Sequence, residues 1–146
     1  MTDFCSIQTS LKICHMNFAR GFRGGERQTL NLIEGLARFG VDQKLICRRE
    51  SELSRHSAAI SLKVVGISHP LLGHFYPSAS DIIQVHEARG AYWARIEHAV
   101  RDTPCVITRR VPNPISSSVV TASVYRKIDF AVSYIQQQVA HDRIPE

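Results

Sequence analysis

Leu11-Lys-Ile-Cys-His-Met16, Asn17-Phe-Ala-Arg-Gly-Phe-Arg-Gly-Gly25 and Glu26-Arg-Gln-Thr-Leu-Asn-Leu-Ile-Glu-Gly-Leu-Ala-Arg-Phe-Gly40 decide how this chain folds. In that order they read as a buried strand, a glycine-rich loop and an amphipathic helix closed by glycine. This is the opening unit of a parallel α/β sheet, whose ligands sit where loops leave the carboxyl ends of the strands. Glycines there let backbone N–H groups approach a phosphate, and the helix N-terminus adds roughly half a positive charge. A ligand site is therefore expected near residues 17–27. Gly21, Gly24 and Gly25 spell G-x-x-G-G, which is not the dinucleotide fingerprint. The second expected strand, Gln43–Cys47, runs into Arg48 and Arg49, where an NAD enzyme places an acidic residue.

The same alternation continues down the chain. Strands are expected at Leu62–Gly66, Asp81–His86, Pro104–Thr108 and Asp129–Ser133, and helices at Ala88–Val100, Val119–Lys127 and Tyr134–His141. Residues 67–79 and 112–118 are rich in Pro, Gly, Ser and His and read as connections, while 50–60 gives no clear pattern. Strand–helix alternation of this length implies a doubly wound, mostly parallel sheet with helices on both faces.

At 146 residues the chain has the size of one domain, with residues 1–10 a polar extension ahead of the first strand. A 44% apolar and 21% charged composition is ordinary for a globular protein. No apolar run approaches the roughly 20 residues of a membrane span, and the N-terminus lacks the basic start and apolar core of a signal peptide. Cys5, Cys14, Cys47 and Cys105 form no C-x-x-C pair and read as reduced thiols of a cytoplasmic protein. The net charge is +5, but the arginines scatter among loop ends with no run of like charge and no RNA-binding motif. Nucleic acid therefore has no support, whereas phosphorylated small molecules or an anionic membrane surface fit equally well. Leu71, Leu72, Phe75 and Tyr76 in the 67–79 loop can either dip into such a surface or pack on the domain.

The polar groups expected at carboxyl ends of strands are the candidates for chemistry. His86 closes the fourth strand and, with an ordinary pKa of about 6.5, can serve a substrate hydroxyl or phosphate, or satisfy a loop carbonyl. Glu87 can orient it, accept a sugar hydroxyl or cap the next helix, and Arg89 can clamp a phosphate or carboxylate. Arg109 and Arg110 close the fifth strand, Ser133 the sixth, and Glu26 and Arg27 open the first helix. His15, inside a strand, reads as a satisfied core or edge histidine. His56, His69 and His74 have no metal-ligand spacing, and neither H-E-x-x-H nor a Ser–His–Asp signature occurs.

Four segments, LKICHMNFARGFRGGERQTLNLIEGLARFG (11–40), DIIQVHEARGAYWAR (81–95), PCVITRRVPNP (104–114) and KIDFAVSYIQQQV (127–139), resemble in order and spacing the N-terminal domain of group 1 glycosyltransferases. The resemblance covers residues 10–145 and implies a Rossmann-like sheet forming one half of a GT-B architecture. HEARGAYWAR (86–95) looks like the branch that builds lipopolysaccharide and other bacterial envelope glycans. It further implies a retaining transfer from a nucleotide-sugar donor to a glycan or lipid-linked acceptor, with no metal or other cofactor and with attachment to the inner leaflet of the plasma membrane. Residues 11–146 would then be the acceptor-binding domain, inactive without a C-terminal donor domain that this chain does not contain. Gly24 and Gly25 would lie near the donor diphosphate, and His86 would line the reaction centre as the catalytic candidate. Glu26, Arg27, Glu87, Arg89, Arg109, Arg110 and Ser133 complete the expected substrate contacts. Arg109–Arg110 stands where the family often has Thr-x-His-Gly, so the role of that loop departs from the pattern. The alternative class is a stand-alone, non-catalytic α/β module that binds a ligand or partner.

Overall fold

The computed structural model describes residues 10–60, 62–69, 79–87, 90–93, 100, 102–109 and 130–133. The expected extension before residue 10, most of the 67–79 loop, the helices at 119–127 and 134–141, and Arg89 and Arg110 lie outside them. The described residues form one six-stranded sheet in the order β3-β2-β1-β4-β5-β6. Its strands are β1 (Lys12–Asn17), β2 (Asp42–Arg48), β3 (Lys63–Ile67), β4 (Ile82–Val85), β5 (Cys105–Arg109) and β6 (Phe130–Ser133). Every neighbouring pair is parallel. The chain thus winds outward from β1 to β3, returns to β4 beside β1, and continues to β6. That reversal is the topological switch of a doubly wound sheet, and the fold class is the one the alternation implied.

Helix α1 (Gly24–Ala37) starts two residues earlier than its sequence pattern suggests, so Gly24 and Gly25 form its first turn instead of ending the loop. The cause is Glu26, whose carboxylate Oε2 accepts the Arg23 N–H at 2.7 Å and closes the helix start one residue before Gly24. At the other end Gly40 takes φ +73°. Its N–H reaches Ala37 O at 3.0 Å and the Val41 N–H reaches Leu36 O at 3.4 Å, the bond pair of a Schellman end. A second helix, α2 (Glu52–Ala58), occupies the stretch that showed no clear pattern. Ser51 caps it by accepting the Ser54 N–H at 3.1 Å, and Leu53 and Ser57 turn inward.

The sheet buries both faces. On one, Cys14, Met16, Phe18, Ile46, Ile83, Val85 and Ile107 pack with Ala91 of the turn after β4. On the other, Leu30 and Ile33 of α1 and Leu53 of α2 cover Leu45 and Cys47 of β2. Cys14, Cys47 and Cys105 are buried. The α1-facing side of β1 is different: His15 and Asn17 are wholly buried there, and a polar seam replaces the usual apolar contact.

Candidate functional site at the switch point

Parallel strands bring their carboxyl ends to one rim, and the order of the sheet brings the loops after β1 and β4 together there. The site begins with Asn17, the last residue of β1. Its Oδ1 accepts the Ala19 N–H at 3.1 Å, while its Nδ2 donates to Thr29 Oγ1 at 3.1 Å. Thr29 in turn donates to Gly25 O at 3.0 Å. One buried amide therefore sets the start of the loop and the first turn of α1 together. Arg48, at the end of β2, donates from Nε to Phe18 O at 2.9 Å and pins the loop from the other side. Phe22 stacks on His56 of α2 with centroids 4.3 Å apart, and the Arg27 guanidinium lies 5.8 Å from the Phe22 centroid.

The loop after β4 is fastened to the same place. The Glu87 carboxylate accepts the Phe18 N–H at 3.3 Å and the Gly90 N–H at 3.0 Å. It thereby joins the two loops and caps the helical turn that opens at Gly90. Gly90 is required by close packing, since a Cβ there would stand 2.8 Å from Val85 Cγ1.

His86 follows Val85 directly and is buried, with its backbone N–H on Met16 O at 3.0 Å. Its Nε2 lies 3.0 Å from Nδ1 of His15, and the two rings stack at 5.2 Å and 27°. His15 Nε2 meets Gln43 Oε1 at 2.9 Å, and Gln43 Nε2 donates to Ile33 O at 2.9 Å. Because the Gln43 amide spends its N–H on a carbonyl, its oxygen must be the atom that faces His15. Burial pushes the His15 pKa down to about 4, only partly opposed by the Gln43 hydrogen bond, so its ring is neutral near pH 7. A neutral His15 that donates from Nε2 accepts at Nδ1, which makes His86 Nε2 a donor.

The sequence candidates distribute as follows. Gly24, Gly25, Glu26 and Arg27 form the first helical turn beside the β1 loop, with Glu26 engaged in its cap. His86 and Glu87 lie on the adjoining loop. Arg109 and Ser133 are paired in register at the same rim, one and two strands further from the switch point. Arg89 and Arg110 fall outside the described residues. The sequence reading treated His15 as a satisfied core or edge histidine and passed over Gln43, Asn17 and Thr29. The alternation of β1 held a signal, because it sets His15 and Asn17 on the face that α1 covers. Gln43 carried none, since its place beside His15 depends on strand register. Among the described residues no three His, Cys, Asp or Glu side chains gather closely enough to hold a metal ion. No helix there is long and apolar enough to cross a membrane. Two clefts, of about 480 and 270 Å³, open at the opposite rim, where the strands begin. They are lined in part by Gln43 and Asp42 and contain none of the expected site residues.

A wholly parallel sheet in this order, with its ligand-facing rim at the switch point, defines a Rossmann-like α/β domain. Among solved structures the chain is similar to Acinetobacter baumannii MurG, with a TM-score of 0.63 and 10% identity over 93% of this chain. It spans 43% of that MurG chain. No family model and no curated protein matches the sequence.

Proposed function

We propose that this chain is the acceptor-binding half of a retaining glycosyltransferase that moves a sugar from a nucleotide-sugar onto a bacterial envelope glycan such as lipopolysaccharide. The observation that carries this reading is the likeness of nearly the whole chain to part of MurG, with Gly24–Gly25 and His86 brought to one switch point. In this reading the donor lies between this domain and a second one. The N–H groups and dipole of the first turn of α1 face its diphosphate, and basic groups such as Arg89, Arg109 and Arg110 add positive charge in place of a metal ion or other cofactor. The acceptor hydroxyl attacks the anomeric carbon on the face that the diphosphate leaves, the sugar–phosphate bond breaks with its electron pair on the phosphate oxygen, and the hydroxyl proton passes to that oxygen. His86 contacts the reacting groups, while Glu26, Arg27, Glu87 and Ser133 shape the walls. Because closure of two domains forms such a centre, the 146 residues alone transfer no sugar at a useful rate. A net charge of +5 suits a place at the cytoplasmic, anionic inner leaflet, where lipid-linked acceptors reside.

The test is sugar transfer by the product of the whole gene, using a panel of nucleotide-sugars and lipid-linked or oligosaccharide acceptors. His86→Ala lowers kcat about 100-fold, and Gly25→Val weakens donor binding. Unchanged transfer in both variants overturns the site. Absence of transfer with every donor returns the chain to the class of non-catalytic binding modules.

A further inference from the structure

The rim where the strands begin carries a charge pattern that the sugar-transfer reading does not use. Lys12 opens β1, Lys44 stands third in β2 and Lys63 opens β3. We propose that the 270 Å³ cleft they line is a binding site for a small phosphate-bearing anion, with Lys12, Lys44 and Lys63 as its cationic contacts.

Strand register makes the cluster. Lys44 and Lys63 are direct partners across β2 and β3, and Lys12 stands level with Asp42, two residues before Lys44. Register partners share a face, and so do residues two apart on a strand. Leu45 and Cys47 turn toward α1, so Lys12, Asp42, Lys44 and Lys63 all project from the other face. The three lysines line the cleft together with Asp42 and Ser80. Asp42 is the one carboxylate among the described residues that line it, so three positive charges meet one negative. Asp81, next to Ser80, has one carboxylate oxygen on the Lys12 N–H at 2.8 Å. Like charges directly opposite each other on neighbouring strands repel and cost stability, and an anion seated among them turns that repulsion into attraction. An ammonium is a compact charge with three donors on a flexible stem, and three such groups can meet a phosphate from different sides. Ser80 adds a hydroxyl donor. Volume sets the size of the ligand. Pockets that take a drug-sized molecule hold about 300–1,000 Å³. A cleft of about 270 Å³ suits one or two phosphate groups rather than a whole nucleotide-sugar. Because the lysines come from three strands, the bound anion ties the starts of β1, β2 and β3 and stabilises the folded chain.

This inference does not rest on the sugar-transfer reading, whose residues lie at the other rim, and its test reads binding alone. The ¹⁵N-labelled chain is titrated with inorganic pyrophosphate at constant ionic strength. Saturable shifts are expected at the amides of Lys12, Asp42, Lys44, Lys63 and Ser80. Lys44→Gln or Lys63→Gln raises Kd about tenfold, and Arg38→Gln, on the same rim but outside this cleft, leaves it unchanged. A separate set of shifts at Gly24 and Gly25 belongs to the other rim and does not respond to the lysine variants. In thermal melts without the anion Lys63→Gln melts no lower than the native chain, whereas saturating pyrophosphate raises the native Tm above that of the variant. Absent or non-saturating shifts at the cleft, or equal affinity there in the lysine variants, overturn the proposal. Phosphatidylcholine vesicles containing phosphatidic acid then distinguish the source of the phosphate. Cosedimentation that pyrophosphate displaces and Lys63→Gln weakens assigns a lipid headgroup; any other result, with pyrophosphate bound at the cleft, assigns a soluble anion.

Discussion

Acid should destabilise this protein through His15 before it protonates most carboxylates. His15 is wholly buried and its pKa is pushed down to about 4, while in the unfolded chain it returns to about 6.5. A base whose folded pKa is depressed gives stability that is fully present above the unfolded value. That stability is lost as pH falls through the window down to the folded value, because only the unfolded chain takes up the proton there. From pH 7 to pH 5 the integrated loss is about 2 kcal/mol for this one ring. For a domain of this length that is about 4–8 °C in Tm. Other groups titrate in the same range, so the measurement is a difference. Urea and thermal unfolding of the native chain and of His15→Gln are followed by circular dichroism at half-unit steps from pH 8 to pH 4. The two stability curves are expected to converge by about 2 kcal/mol between pH 7 and pH 5 and to run parallel above pH 7. Curves that stay parallel throughout mean that His15 binds its proton as readily folded as unfolded. The claim that burial depresses the His15 pKa then fails. If His15→Gln does not fold, direct NMR titration of His15 in the native chain answers the same question.

Four further outcomes are expected. Thr29→Val strands Asn17 Nδ2 and removes the tie to Gly25 O, so chemical denaturation should show a loss of roughly 1–3 kcal/mol that Thr29→Ser restores. Gly90→Ala drives a Cβ against Val85 and Met16 and lowers stability by about 1–3 kcal/mol, whereas Gly35→Ala, with nothing within 4 Å, raises it by about 0.5–1 kcal/mol; thermal melts of the pair decide. Under native conditions at pH 8, Cys14, Cys47 and Cys105 should resist maleimide, with burial also pushing the Cys47 thiol pKa up; mass spectrometry that finds any of the three labelled before unfolding contradicts their packing. Glu87→Gln should be milder than Glu87→Ala in both melting and hydrogen exchange at Phe18 and Gly90, because the amide oxygen can still accept both N–H groups.

The architecture was legible because parallel strands buried on both faces read as continuous apolar runs, and Gly40 marks the end of α1 in any reading. The start of α1 was displaced because the Glu26 cap stabilises two glycines that propensity assigns to a loop. Helix α2 escaped notice because seven residues with two inward side chains make too short a period to detect. His86 and Glu87 could be placed on the rim from strand alternation alone. Glu87 proved to hold both loops, a pairing of residues 18 and 87 that only the β1–β4 register creates. Gln43 was invisible for the same reason: its partner lies 28 residues away on the neighbouring strand.

That amide has a further consequence. Gln43 also lines the 480 Å³ cleft at the rim where the strands begin, so its side chain faces one end of the sheet while its oxygen holds a ring that leads to the other. Three side chains thus run from the rim where the strands begin to the rim where they end as one line of directional bonds. Turning that one amide over would place a hydrogen where His15 expects a lone pair and reset every proton along the line. The two rims of this domain are consequently not chemically independent surfaces.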